Sequence, residues 1–136
     1  MFHVQPNTIA VIKKSLHAGF KGQTTFPEHV KTIADVGVTR YIVDILQSKV
    51  IYHFADNNIH TETLPATYKQ YNFSFFDPSE VKNAIKEIQQ QAIDYPTFLA
   101  RIASAGTKSY EVNITKGRII YQGENDRCIE EFPKLI

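Results

Sequence analysis

The sequence predicts an α+β fold: a two-layer sandwich from an internally duplicated helix-helix-hairpin unit, with a mostly antiparallel sheet and helices on one face. Three observations carry this. The chain repeats itself, each repeat opens its helices with capping signals, and each closes with alternating apolar and polar residues. Shifting the sequence by 69 residues aligns Phe26–His53 with Tyr95–Gln122 without a gap, and nine of the 28 positions are identical. They are Pro27/Pro96, Ile33/Ile102, Ala34/Ala103, Gly37/Gly106, Tyr41/Tyr110, Val43/Val112, Ile45/Ile114, Ile51/Ile120 and Tyr52/Tyr121. After a one-residue slip, Glu62/Glu130 and Pro65/Pro133 continue the match. The pseudo-repeat units run from about 8 to 65 and from 77 to 133, and the 136 residues are expected to form one domain.

The first helix spans about Thr8–Ala18, carries Ile9, Ile12 and Leu16 on one face, and stops at Gly19. The second begins after Thr25, which with Glu28 makes a capping box, and Pro27 fits its first turn. Val30, Ile33 and Ala34 form its apolar stripe, and Gly37 ends it where a left-handed residue is needed. Strands Thr39–Leu46 and Lys49–Ala55 follow, with Gln47–Ser48 as a two-residue turn that sets Leu46 opposite Lys49. Tyr41, Val43, Ile45, Val50, Tyr52 and Phe54 then share the face packed on the helices. Ile59–Leu64 adds an edge strand. An aromatic crossover, Tyr68–Phe76, reads as extended and leads to the second unit.

There, Asp77-Pro78-Ser79-Glu80 combines an N-cap, a first-turn proline and a capping box, followed by Val81, Ile85, Ile88 and Ala92 at helical spacing. Asp94 caps the next helix, with Pro96 in its first turn, Leu99, Ile102 and Ala103 as its stripe and Gly106 at its end. Ser109–Thr115 and Arg118–Gly123 form the second hairpin around Lys116–Gly117, with Tyr110, Val112, Ile114, Ile119 and Tyr121 on the face packed on the helices, and Arg127–Phe132 adds its edge strand.

Charge excludes several function classes. Residues 1–69 carry seven basic and five acidic groups, residues 70–136 eight and nine, so no basic stripe for phosphate exists and nucleic acid is not an expected partner. No apolar run is long enough for a membrane span. Met1–Ala10 lacks the pattern of a signal peptide, and Cys128, alone, forms no internal disulfide; a cytoplasmic address is expected. The chain contains no phosphate loop, nucleophile elbow or paired metal motif, so neither cofactor nor metal is expected.

The run Tyr95–Pro133 resembles the YdfO-like proteins, small bacterial and prophage proteins of unknown function often labelled phage envelope proteins. The residues that carry the resemblance are Tyr95, Phe98, Ala105-Gly106, Tyr110, Val112, Tyr121 and Glu131-Phe132-Pro133, with Gly37-Val38-Thr39-Arg40-Tyr41 in the first half. It covers most of the chain from about Phe26 onward. Asn113 stands where relatives often have Asp; Asp44 supplies it in the first half. The resemblance implies a two-layer α+β fold and carries over no catalytic residue.

Positions shared by both units answer to the fold, so positions that differ are better candidates for function. All five histidines, His3, His17, His29, His53 and His60, lie in the first half, where Lys86, Phe98, Gln122 and Cys128 are the counterparts of the last four. His53 is expected on the sheet face away from the helices, across from Ile42 and near Arg40 and Asp44. An imidazole beside a carboxylate can act as a general base, and a solvated strand histidine is the plainer alternative. Cys128 reads as an ordinary small apolar residue rather than a catalytic thiol, and the aromatic crossover as core packing rather than a platform for bases. The outer sheet face presents Arg40, Ile42, Asp44, Ile51 and His53 from one unit, and Glu111, Asn113, Ile120 and Gln122 from the other. Too few helices remain to cover it. A binding or interaction module is therefore expected, with Arg40, Asp44, His53, Glu111, Asn113 and Gln122 as binding residues. The partner is a second copy, another protein or an unknown small molecule. The rival is a small acid–base enzyme using His53 and Asp44, which requires a pocket at His53. A phage-related regulatory or nucleic-acid-associated role is a third reading, which requires a basic or strongly acidic patch formed only in three dimensions.

Overall fold

A computed structural model describes residues 4–132, so His3 and Pro133 lie outside the described residues. The elements run α1 (Pro6–Phe20), α2 (Phe26–Asp35), β1 (Val38–Asp44), β2 (Lys49–Phe54), β3 (Ile59–Thr63), α3 (Pro78–Gln89), α4 (Tyr95–Ser104), β4 (Ser109–Asn113), β5 (Arg118–Gln122) and β6 (Arg127–Glu131). The six strands form one antiparallel sheet in the order β3-β2-β1-β4-β5-β6. Each unit thus supplies a three-stranded meander, and β1 pairs with β4 to join them. The junction has an approximate two-fold relation. Ile45 N–H donates to Lys108 C=O at 2.9 Å, and Ile114 N–H donates to the repeat-equivalent Thr39 C=O at 2.9 Å.

The caps act as their chemistry dictates. Thr25 and Glu28 close a reciprocal capping box, and Asp94 accepts from Thr97 N–H. Asp77 accepts from Ser79 and Glu80 N–H, but its own N–H donates to Ala105 C=O at 2.8 Å, so the expected box with Glu80 does not close. Helix α1 starts two residues before the expected Thr8, because Pro6 occupies the first turn after Gln5. It also runs through Gly19 to Phe20; the left-handed position falls to Gly22 at φ 69°. Helix α3 ends at Gln89, which leaves Ala92 outside its stripe. The crossover is a series of turns rather than an extended segment, with Tyr68, Tyr71, Phe73 and Phe76 packed on the core and Phe75 exposed.

Both hairpins differ from the expected two-residue turn in the same way. Lys49 faces Asp44, not Leu46, and Arg118 faces Asn113, not Thr115, so each loop has four residues. The Asp44 carboxylate accepts Gln47 N–H at 3.0 Å, and the Asn113 amide oxygen accepts Lys116 N–H at 3.0 Å. These side chains tighten the loop, whose fourth residue, Ser48 (φ 54°) or Gly117 (φ 67°), takes the left-handed conformation. A slip of two residues preserves every side chain's face. The expected inward residues Tyr41, Val43, Ile45, Val50, Tyr52, Phe54, Tyr110, Val112, Ile114, Ile119 and Tyr121 are accordingly all buried.

The helices lie on that inner face. Ile12, Ser15 and Leu16 are the buried residues of α1, and Val81, Ala84 and Ile85, each 69 positions later, are those of α3. The repeat therefore extends through all four helices of the described residues, and among these residues no helix lies on the outer sheet face.

Candidate functional site

Strand pairing aligns the outward residues into rows across the sheet. The central row reads Thr61, Ile51, Ile42, Glu111, Ile120, Ile129 from edge to edge. With strands about 4.8 Å apart, this stripe crosses roughly 24 Å of surface. Four of its six members are isoleucine, and Ile129 is 45% exposed. On one side lie Ile59, His53, Arg40, Asn113, Arg118 and Glu131; on the other lie Thr63, Lys49, Asp44, Ser109, Gln122 and Arg127. The face is an apolar stripe between two polar rows. Alternation along each strand placed these residues; only the register showed that the isoleucines coincide.

The polar centre of this face is Arg40. Its Nη1 donates to Glu111 Oε1 at 2.7 Å, and Nη2 lies 3.4 Å from His53 Nδ1. His53 is opposite Arg40, not Ile42, which follows from the four-residue loop. Burial and the adjacent guanidinium push the imidazole below its ordinary range, with Glu111 opposing. Asp44 is four residues along β1 from Arg40, and its carboxylate serves the Gln47 turn. His53 and Asp44 are thus not brought together, so the dyad of the enzymatic reading does not form. Asn113 likewise serves its own turn, and Gln122 donates to Gly123 C=O at 3.0 Å and Asp126 C=O at 3.2 Å. Of the six expected binding residues, Arg40, His53 and Glu111 form one contacting group. A shallow depression of about 260 Å³ lies elsewhere, lined by Phe75, Asp77, Glu80, Arg101, Ser104 and Ala105.

A second polar group lies beneath the sheet. Five tyrosines, Tyr41, Tyr52, Tyr95, Tyr110 and Tyr121, sit in the layer between strands and helices, and burial pushes each phenol above its ordinary value. Tyr95 and Tyr110 share a hydroxyl–hydroxyl hydrogen bond of 2.5 Å, whereas the Tyr52 hydroxyl has no partner among the described residues. The first unit adds a Ser15 Oγ–His29 Nδ1 hydrogen bond of 2.6 Å, with the His29 ring edge-on to Tyr41. At the sheet edge His60 pairs with Glu62, and Lys13 Nζ lies 3.8 Å from the same carboxylate. The second unit repeats the frame of this edge with Lys82, Glu130 and Tyr121, and has Cys128 in place of His60. An inward-pointing charge on an edge strand discourages pairing with another strand, which accounts for Glu62 and Glu130 in both units. Burial, followed by Glu130, pushes the Cys128 thiol up and keeps it protonated.

The Ser15–His29 pair was not anticipated. Its signal was present in the repeat: continuing the alignment back through the first helix sets Ser15 against Ala84 and His29 against Phe98. Among the described residues, no three His, Cys, Asp or Glu side chains gather as a metal would require, and no helix is long and apolar enough to cross a membrane.

Residues 2–63 match a family described as a protein of unknown function (DUF1398). The matched stretch ends on the last residue of β3, so it corresponds to the first unit. A search of curated proteins finds no match.

Proposed function

We propose that the chain folds as a single domain and acts as a protein-interaction module, with the open sheet face as its recognition surface and a second copy of the chain as its occupant. The isoleucine stripe is the observation that carries this. Four isoleucines in one row, flanked by polar rows, form an apolar centre with a polar rim, the composition of an interface rather than of a wet sheet face. Charge favours a like partner. Lys49, Arg40, Arg118 and Arg127 are nearly balanced by Asp44, Glu111 and Glu131, so two such faces do not repel.

Area sets the strength. Six strands of about five residues present roughly 500 Å² per copy, about 1,000 Å² for a pair. That is the low end of specific interfaces, so the dimer is weak and concentration-dependent. The YdfO-like resemblance is compatible with this reading, because its pattern marks the fold and no catalytic residue. Sedimentation across a concentration series tests the proposal. The wild-type chain is expected to gain mass as concentration rises, and Ile42→Asp with Ile51→Asp to remain a monomer. Unchanged behaviour of that variant would overturn the dimer.

A further inference from the structure

The two units differ inside their cores as well as on their surfaces. At one position between helices and sheet, the second unit has an apolar pair, Ala84 on α3 and Phe98 on α4, both fully or nearly fully buried. Phe98 meets Tyr110 edge-on, with ring centroids 6.4 Å apart. The first unit keeps this ring geometry, with His29 edge-on to Tyr41 at 5.8 Å, but exchanges both members of the pair for polar residues. Ser15, 7% exposed, replaces Ala84, and its hydroxyl bonds to the imidazole that replaces Phe98. One polar substitution would have left a buried group without a partner. The two together are satisfied.

We propose that Ser15 and His29 form a proton-operated latch that ties α1 and α2 to β1, so that acid loosens the helical layer of the first unit while the second stays closed. The inference stands apart from the sheet-face reading and concerns the opposite side of the sheet. Its basis is the surroundings of the ring. Ser15 faces it from α1 and Tyr41 from β1, and neither can supply a negative charge near neutral pH. Beyond Tyr41 the ring stack continues to Tyr52 and His60, and the nearest acid in that direction, Glu62, is already paired with His60 and Lys13. The charged residues of α2 itself, Glu28, Lys31 and Asp35, are exposed. The ring is part-buried, so a protonated imidazole at this position gives up much of its hydration and, among the described residues, gains no counter-ion.

Burial accordingly lowers the His29 pKa from 6.5 to about 4. The unfolded chain takes up the proton near the ordinary value, and the folded one resists it. Stability from this residue is therefore complete above pH 6.5 and is lost as pH falls toward about 4. From well above pH 6.5 to well below pH 4 the folded-to-unfolded ratio drops roughly 300-fold in all. The second unit has Phe98 there and contributes no such loss.

Hydrogen exchange, corrected for the intrinsic pH dependence of the amides, tests the latch. On acidification the amides of Phe26–Asp35 are expected to lose protection before those of Tyr95–Ser104. In Ser15→Ala with His29→Phe, which installs the pair of the second unit, the two helices should lose protection together. Simultaneous loss in the wild-type chain overturns the latch, and so does an early loss of Phe26–Asp35 that persists in the variant. Should the variant fail to fold, NMR titration of the wild-type imidazole decides. A His29 midpoint below about 5 supports the proposal, and one above it, within the ordinary range of an exposed histidine, overturns it.

Discussion

The first unit fills the corner between its second helix and its hairpin from within, and the second fills it from outside. Among the described residues, Gly37, at φ 104°, has only the Phe54 ring near it, 3.5 Å from where a Cβ would stand. The repeat counterpart of Phe54 is Gly123, which has no ring to offer. Phe76, from the crossover, enters instead; a Cβ on Gly123 would fall 2.3 Å from Phe76 Cγ. The crossover backbone also lies on Gly106, the counterpart of Gly37, with Phe75 C=O 1.7 Å from a Cβ placed there. Two copies of one backbone thus fill the same corner by different routes. The lost side chain became the socket that anchors the link between the units.

That comparison makes the two helix-ending glycines unequal, although both are left-handed and identical in the repeat. Gly37→Ala meets backbone strain alone, about 1–2 kcal/mol. Gly106→Ala adds a clash with backbone that cannot move without releasing Phe76, and is expected to cost more than about 4 kcal/mol or to prevent folding. Urea denaturation of both variants measures the difference. Equal costs would show that the crossover is not fixed at this corner.

Phe76→Ala comes next in size. The ring is part-buried against the core, so its loss should cost about 3 kcal/mol, at or somewhat below the cost of Phe54→Ala. A loss below about 1 kcal/mol would mean that Phe76 is a loosely held surface ring and not the substitute for Phe54.

A smaller effect belongs to the hairpin loops. Ser48 holds a left-handed backbone with a buried hydroxyl that has no partner among the described residues, where the second unit has Gly117. Ser48→Gly should stabilise the chain by about 1 kcal/mol and Gly117→Ser destabilise it by a similar amount. Thermal unfolding of the pair distinguishes this from the ordinary cost of adding a glycine, which would have the opposite sign at Ser48.

These loops also mark the limit of what the sequence disclosed. Fold class, duplication, caps and strand faces were legible, because each rests on local chemistry or on a period of two or 3.6 residues. Loop length was not, because the Asp44 and Asn113 side chains compete with the backbone for the turn, and a slip of two leaves the pattern unchanged. The candidate site was legible residue by residue on the open face. The expected meeting of His53 with Asp44 depended on the register and failed with it. The isoleucine stripe is a property of six strands in register, which no single segment contains. Ser15 and His29 were hidden differently: each is ordinary alone, and only the paired contrast with Ala84 and Phe98 gives them meaning.

The smallest effect on the fold bears most directly on the open face. Ile42 and Glu111 are repeat counterparts and direct neighbours across β1 and β4, so the stripe is interrupted at its centre by one of its own symmetry mates. Glu111 is held by Arg40 in a partly exposed pair with side chains 32% and 38% accessible, an arrangement that contributes little to stability. Glu111→Ile should therefore shift unfolding by less than about 1 kcal/mol. It would also complete a run of five isoleucines and release Arg40 to the rim. If the stripe is the interface, sedimentation should show tighter self-association at unchanged fold stability, by about tenfold or more for one further buried apolar side chain on each copy. An unaltered dissociation constant would place the interface elsewhere, and weaker association would mean that Glu111 supplies a specific contact across it. The charge at the centre of the row is then a brake on association, set where the two units of the chain differ.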